Sequence, residues 1–253
     1  MKNTKRLEKY CRELVLNFPQ AKNLKGVVVL CYPAFPVPQC NSAVDINVKE
    51  DEAEDLLNRV TKHFQSAGSG VVRFRITPLT RPRTFASLLE RHEFEKEGED
   101  SVMVFKGGQL EEKMSKEVEV REISESEADV ASTVASAAFQ FPTEWKNEFN
   151  NFMMGFMQKG GRNFLGYIDG KPAGTSLLFS LIKTGAIFNV GTIEEYRKRG
   201  VATTLIAHAV LESIKQGNDL HTLQVAKGGN VEKLYKEVGF EADHTVSWYV
   251  KKC

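Results

Sequence analysis

Apolar residues recur at helical spacing after position 200: Val201, Leu205, Ile206, Ala209, Val210 and Ile214 would share one face of a helix. Just before it, Ala186, Ile187, Phe188 and Val190 read as a buried strand, and Leu220 to Ala226 as another. Asn230 to Phe240 then predicts a short helix stopped by Gly239, followed by a terminal hairpin. Upstream, the pattern predicts a strand at Val118 to Ile123, a helix at Glu127 to Phe139, a break at Phe141-Pro142 and a helix at Glu144 to Gln158. Strands at Asn163 to Ile168 and Ala173 to Ile182 follow, joined by the turn Asp169-Gly170-Lys171-Pro172. Phe149, Phe152, Met153 and Phe156 continue an apolar helical stripe, which reads as core before it reads as substrate pocket.

The first hundred residues repeat part of this order more weakly. After an amphipathic N-terminal helix come a strand at Val44 to Val48, a helix at Ala53 to Phe64, a strand at Val71 to Thr77, a helix at Arg83 to Phe94 and a hairpin-like stretch from Glu95 to Lys106. Phe94 takes the place of Phe240, and Leu88 that of Leu234. Between the halves, GGQLEEKMSKE combines two glycines with polar residues as a linker would. The expected organisation is a half-domain at 1–106, a linker at 107–116 and a second domain at 117–253.

Composition narrows the field without choosing an activity. With 42% hydrophobic and 26% charged residues, a chain of 253 residues can build a sizeable core. A net charge of +1 gives no global field for nucleic acid or an anionic membrane. The N-terminus lacks the apolar run of a signal peptide, and no segment is long enough to span a bilayer. Cys11, Cys31, Cys40 and Cys253 fit neither a disulfide framework nor a zinc pattern, so free thiols, a cytoplasmic location and no metal are the expectation.

The chemistry concentrates at Arg197-Lys198-Arg199-Gly200-Val201-Ala202, between the apolar strand and the helix. Three cationic side chains precede a helix start, Gly200 allows close backbone approach, and Ala202 keeps the first turn narrow. A diphosphate would supply the acceptors that the first N–H groups of a helix lack. Gly-x-x-x-x-Gly-Lys-Ser or Thr is absent, which argues against an ATP loop.

Arg197-x-x-Gly200-x-Ala202 after a strand, with Leu234-Tyr235-x-x-x-Gly239-Phe240 near the end, resembles the GNAT superfamily of acyl-CoA-dependent N-acyltransferases. The resemblance covers residues 117–253 and includes Val190-Gly191-Thr192 and Glu195-Tyr196-Arg197. It implies an α/β (α+β) fold, a mixed central sheet flanked by helices, preceded here by a smaller degenerate GNAT-like half-domain. It also implies acetyl-CoA as co-substrate and an amine acceptor, either a small molecule or a protein amine. Acetyl transfer would proceed by direct attack in a ternary complex.

By the same resemblance, the fourth and fifth strands splay, and amides at Val190, Gly191, Thr192 and Ile193 meet the pantetheine arm and thioester. Arg197, Lys198, Arg199, Gly200, Val201, Ala202 and Thr203 would hold the diphosphate, and Tyr235 would protonate the departing thiolate. The asparagine often found seven positions before the tyrosine is Gly228 here; Asn230, five before it, is either a CoA contact or a helix cap. Phe139, Phe141, Glu144 and Trp145 would flank the acceptor. Glu194 and Glu195 read as strand-end charges, leaving the general base unassigned, and His208, His221 and His244 read as structural. In the first half, Glu50, Asp51, Glu52 and Glu54 stand where a phosphate loop would, and Leu89 and Glu93 replace the tyrosine and glycine. The alternative to an enzyme is a CoA-binding sensor without turnover. The sequence fixes neither the acceptor nor the oligomeric state.

Overall fold

The computed structural model describes residues 2–253, which divide into two compact units: one of residues 2–102 with 243–253, the other of residues 103–242. The division departs from the expected linker at 107–116. That segment holds a short helix, α4 (Leu110–Lys113), whose Leu110 is buried in the second unit's core. The Ser115 N–H also donates to Thr204 Oγ1 at 2.8 Å. A glycine-rich start therefore leads into packed chain, because one apolar residue in it had a core to enter.

In the first unit, helix α1 (Lys2–Leu16) precedes strands β1 (Ala21–Leu24), β2 (Val27–Cys31) and β3 (Asn41–Val44). Helix α2 (Ala53–Ser66), strand β4 (Val71–Ile76), helix α3 (Phe85–Arg91) and strand β5 (Glu95–Phe105) follow. The strand expected at 44–48 lies earlier, where Asn41 to Val44 are all buried. Strand β11 (Phe240–Lys252) runs antiparallel to β4, with Ser247 opposite Ile76 and Lys252 opposite Val71. Both expected hairpins, at 95–106 and at the C-terminus, are instead single long strands of 11 and 13 residues. Neither stretch contains a Gly or Asn pair of the kind that closes a tight hairpin, so each continues extended.

The internal echo has a backbone counterpart. Helix α3 is followed by Glu93 at φ +63°, and α8 (Asn230–Val238) by Gly239 at φ +116°, so both end on a left-handed residue. Phe94 and Phe240 come next and are both buried.

The second unit contains β6 (Glu119–Ile123), α5 (Ala128–Phe139), α6 (Lys146–Met157), β7 (Arg162–Ile168), β8 (Lys171–Leu181), β9 (Thr184–Thr192), α7 (Val201–Lys215), β10 (Leu220–Ala226) and α8. Its strands lie in the order β10-β9-β8-β7-β6. The β7–β8 hairpin turns on Asp169 (φ +51°) and Gly170 (φ +72°), the two left-handed residues that a tight hairpin requires. Together these elements form the mixed sheet flanked by helices that the sequence predicts.

Helix α7 is seated by missing side chains. A Cβ on Gly174 would stand 2.6 Å from Val201 Cγ1, and one on Gly166 3.4 Å from the same atom. Glycines on β7 and β8 thus open a trough for Val201 and Leu205, the first two core contacts of the helix. Their burial in it holds the helix N-terminus over the sheet.

Candidate functional site

Strands β9 and β10 are parallel partners over three residue pairs only, Thr184 with Leu220, Gly185 with His221 and Ala186 with Thr222. β9 then runs on to Thr192 and β10 to Ala226 without further pairing to each other. The parting coincides with an irregularity in β9: the register against β8 shifts between Thr175 and Leu177, and Asn189 takes φ +51°. A bulge of this kind adds twist and bends a strand away from its neighbour. The result is an opening along one edge of residues 187–192, the segment in which Val190, Gly191 and Thr192 were expected to meet an acyl-pantetheine arm. Val190 packs against the core, and the Thr192 hydroxyl is buried with no hydrogen-bond partner among the described residues. Ile193 departs from expectation: its N–H donates to the Ala173 carbonyl at 2.9 Å and is already committed.

The chain next makes a single helical turn at Glu194–Tyr196 and passes through Lys198 (φ +61°) and Gly200 (φ +81°) into α7. Among the described residues, the backbone N–H groups of residues 198–203 have no acceptor; the first helical bond is Thr204 N–H to Gly200 O at 2.9 Å. Six successive donors thus stand at the positive end of a fifteen-residue helix, a setting that favours an anion. Arg197 is about half exposed, with Glu194 3.8 Å away. Arg199 is more engaged, 3.1 Å from Glu117 and 3.9 Å from Asp169, so much of its charge is already answered.

Tyr235 is buried, in the same core cluster as Val201, Leu205, Leu223 and Phe240. Burial pushes its phenol up to about 12, and its hydroxyl makes no hydrogen bond within the described residues. Asn230 is not the helix cap; Gly229 holds that position and Asn230 is the first, exposed residue of α8. The loop before α8 is fixed instead by Glu232, whose carboxylate accepts the Gly228 N–H at 2.7 Å. Sequence reading missed this residue. Its position in the first turn of a predicted helix was the available signal.

Glu194 and Glu195 are exposed; the first faces Arg197, and the second accepts from the Tyr196 hydroxyl, raising that phenol's pKa. The three histidines serve elsewhere. His208 meets the Phe164 ring edge at 4.8 Å and is lowered by burial, His221 bonds Ser213, and His244 stands between Glu8 and Asp243 in the first unit.

In the first unit, the acidic stretch before α2 is a single helical turn at Glu50–Glu52. Glu52 there accepts the Lys49 N–H and faces Lys25 at 3.0 Å, which holds its carboxyl below the usual range. No left-handed glycine opens that helix.

Residues 120–240 match the family model of the acetyltransferase (GNAT) family. That region is a GNAT domain. The fold of the chain is shared with a GCN5-related N-acetyltransferase from Kribbella flavida at a TM-score of 0.74 and 17% identity, over 98% of this chain and 95% of that one. A functionally unknown conserved protein from Staphylococcus epidermidis aligns at a TM-score of 0.69 and 15% identity, over 91% and 92% of the two chains. A tandem GNAT protein from the clavulanic acid biosynthesis pathway aligns at 0.62 and 10%, over 83% and 75%. No curated protein matches the chain in sequence.

Proposed function

We propose that the chain is an acetyl-CoA-dependent N-acetyltransferase whose site lies in the second unit. The observation that carries this reading is the join of two features on one strand–loop–helix segment. The β9–β10 opening would admit an extended, apolar-to-polar arm, and the N–H row of residues 198–203 would accept the diphosphate at its far end. The buried Thr192 hydroxyl fits the same ligand, and Gly200, at φ +81°, supplies the left-handed turn that carries the loop into the helix.

Each protein group then has a defined task. The N–H row and Arg197 bind the diphosphate by charge-assisted hydrogen bonds. The residues around Gly191 orient the thioester carbonyl and withhold water. The acceptor amine attacks it directly, losing its proton to solvent or to a relayed water, since Glu194 and Glu195 are exposed and otherwise engaged. Tyr235 faces the departing sulfur. A phenol near 12 stays protonated at every working pH, while an alkyl thiolate has a pKa of about 8.5. Full transfer from phenol to sulfur is therefore uphill by roughly 5 kcal/mol. Tyr235 acts as a hydrogen-bond donor to the developing anion, and the proton that ends on sulfur derives from the attacking amine through water.

Calorimetry with acetyl-CoA, followed by thiol release in the presence of an amine panel, tests the proposal. Binding with amine-dependent thiol release is expected. Binding without release for any amine would favour the CoA-sensor reading, and absence of binding would remove both.

A further inference from the structure

The first unit holds a polar cavity that no step of the acetyl transfer uses. It lies between helix α1, the β1–β2 turn and the chain leaving β3, and has a volume of about 180 Å³. Arg12, Asn23, Asp45 and Asn47 line it, together with Val27 and Val28. Hydrogen-bonded backbone frames it. Gly26 turns the β1–β2 hairpin at φ +83°, and its carbonyl accepts the Asn47 N–H at 2.8 Å. Val28 pairs with Val44 across β2 and β3, and Asp45 then leaves the ladder at φ +54°.

Two ions of opposite sign face this cavity, each only partly answered. Arg12 sets its Nε 3.0 Å from Asp45 Oδ2 and its Nη1 2.6 Å from Glu13 Oε1. Among the described residues, Arg12 Nη2 and Asp45 Oδ1 make no hydrogen bond, and neither do the side-chain amides of Asn23 and Asn47. Both ions are accessible, with 32% of the Arg12 and 43% of the Asp45 side chain exposed. The balance leans negative, because one guanidinium meets two carboxylates. Burial, then Glu8 and Glu13, raise the Asp45 carboxyl's pKa against the pull of Arg12. An ammonium beside Asp45 relieves that excess, and a carboxylate takes the remaining guanidinium N–H groups. A lone cation leaves those N–H groups unused, and a lone anion meets the surplus carboxylate.

We propose that this cavity binds a small free α-amino acid as its zwitterion, with the ammonium on Asp45 and the carboxylate on Arg12. An α-amino acid carries both charges on one carbon, matching two ions that already touch. The asparagine amides supply neutral hydrogen bonds, and the small volume limits the side chain to a few atoms. The unit without a diphosphate loop thereby gains a ligand of its own. Nothing in this assignment requires acetyl-CoA, so its failure leaves the acetyltransferase reading intact.

Ligand-observed NMR titration of the full chain with L-alanine, L-alaninamide and N-acetyl-L-alanine separates the charges. Alanine carries both, alaninamide only the cation and N-acetylalanine only the anion. Losing one charge-assisted hydrogen bond costs about tenfold or more. Alanine should therefore bind at least tenfold tighter than either blocked form, and N-acetylalanine most weakly. Asp45→Asn keeps a residue that tolerates the left-handed backbone. It should lower alanine affinity at least tenfold and close or reverse the gap to N-acetylalanine, with unfolding still cooperative. Arg12→Gln should instead remove alanine's advantage over alaninamide. A merely structural Asp45 would lower all three affinities alike. That result overturns the proposal, as do no binding of alanine at millimolar concentrations and alaninamide binding as tightly as alanine.

Discussion

Replacing Gly200 by alanine tests the proposed anion cradle at its least replaceable atom. The residue sits at φ +81°, where a side chain costs about 1–2 kcal/mol. An added Cβ would also stand 2.8 Å from Ser115 Cβ. Ser115 has little room to retreat, because its N–H is bonded to Thr204 Oγ1 in the first turn of α7. Relieving that overlap adds about 1–3 kcal/mol. Gly217 supplies the control: it lies just past the other end of α7 at φ +76°, with nothing within 4 Å of a Cβ. Gly217→Ala should carry the backbone term alone, so denaturant unfolding should separate the two variants by at least 1 kcal/mol. Relaxation at position 200 also turns the N–H groups that flank it. Losing alignment of one or two charge-assisted bonds, at about 1.5–3 kcal/mol each, weakens acetyl-CoA binding by roughly tenfold to more than a hundredfold. Calorimetry on Gly200→Ala, Gly217→Ala and the parent reads this directly. Acetyl-CoA affinity within twofold of the parent for Gly200→Ala, with a stability loss equal to that of Gly217→Ala, would refute the assignment of the loop.

Three further outcomes follow from named contacts. Arg197→Ala should weaken acetyl-CoA binding roughly ten- to a hundredfold, and Arg199→Ala less, since Glu117 and Asp169 already face Arg199; calorimetry ranks them. Tyr235→Phe should lower turnover about a hundredfold with acetyl-CoA affinity little changed, and near-normal turnover would return Tyr235 to the core. In the first unit, burial alone would raise the pKa of Glu8, but Arg75 at 2.5 Å and His244 at 2.7 Å outweigh it and bring it from 4.5 down to about 2. That difference corresponds to roughly 3 kcal/mol, present above pH 4.5 and lost as pH falls toward 2, so the parent's acid unfolding should steepen in that window. Glu8→Gln should destabilise the fold at neutral pH by removing one counter-charge of the buried Arg75, with Asp100 still acting on it.

The elements with strong periodicity were legible to within a few residues. Helix α7 was readable because Val201, Leu205, Ile206, Ala209 and Val210 bury on one face, and the β7–β8 hairpin because Asp169-Gly170 has one economical backbone solution. The ends of the halves were not. Residues 95–105 open on the polar run Glu95 to Ser101, and 240–252 carry Glu241 to Thr245, which read locally as turn signals, while their extended course is set by partners distant in sequence, as β4 is for β11. The same fact bears on truncation: a fragment of residues 1–106 would lack β11, so ligand binding by the first unit has to be assayed in the whole chain.

The site divides along a similar line. The local setting of the candidates Arg197, Gly200 and Tyr235 was legible because each is tied to a backbone requirement or a fixed spacing: a positive φ, a helix start, or an interval to Gly239. The commitments of neighbouring groups were not. Nothing in the string Thr192-Ile193 says that one amide is taken by Ala173, and nothing in Arg197-Lys198-Arg199 says which cation is already answered by Glu117, 82 positions away. Gly191 joins the two kinds of information. The resemblance gave its amide to the pantetheine arm and thioester, but the group that a Cβ there would meet is protein, Ala138 and Phe139. The glycine thus brings the end of α5, and the aromatic surface it carries, into contact with the strand on which the acyl group is proposed to lie. A larger residue at position 191 would push the end of α5 away from the strand. Gly191→Ala is therefore expected to impair turnover more than acetyl-CoA affinity, and a variant that loses affinity and turnover in equal proportion would show that the glycine serves the donor alone.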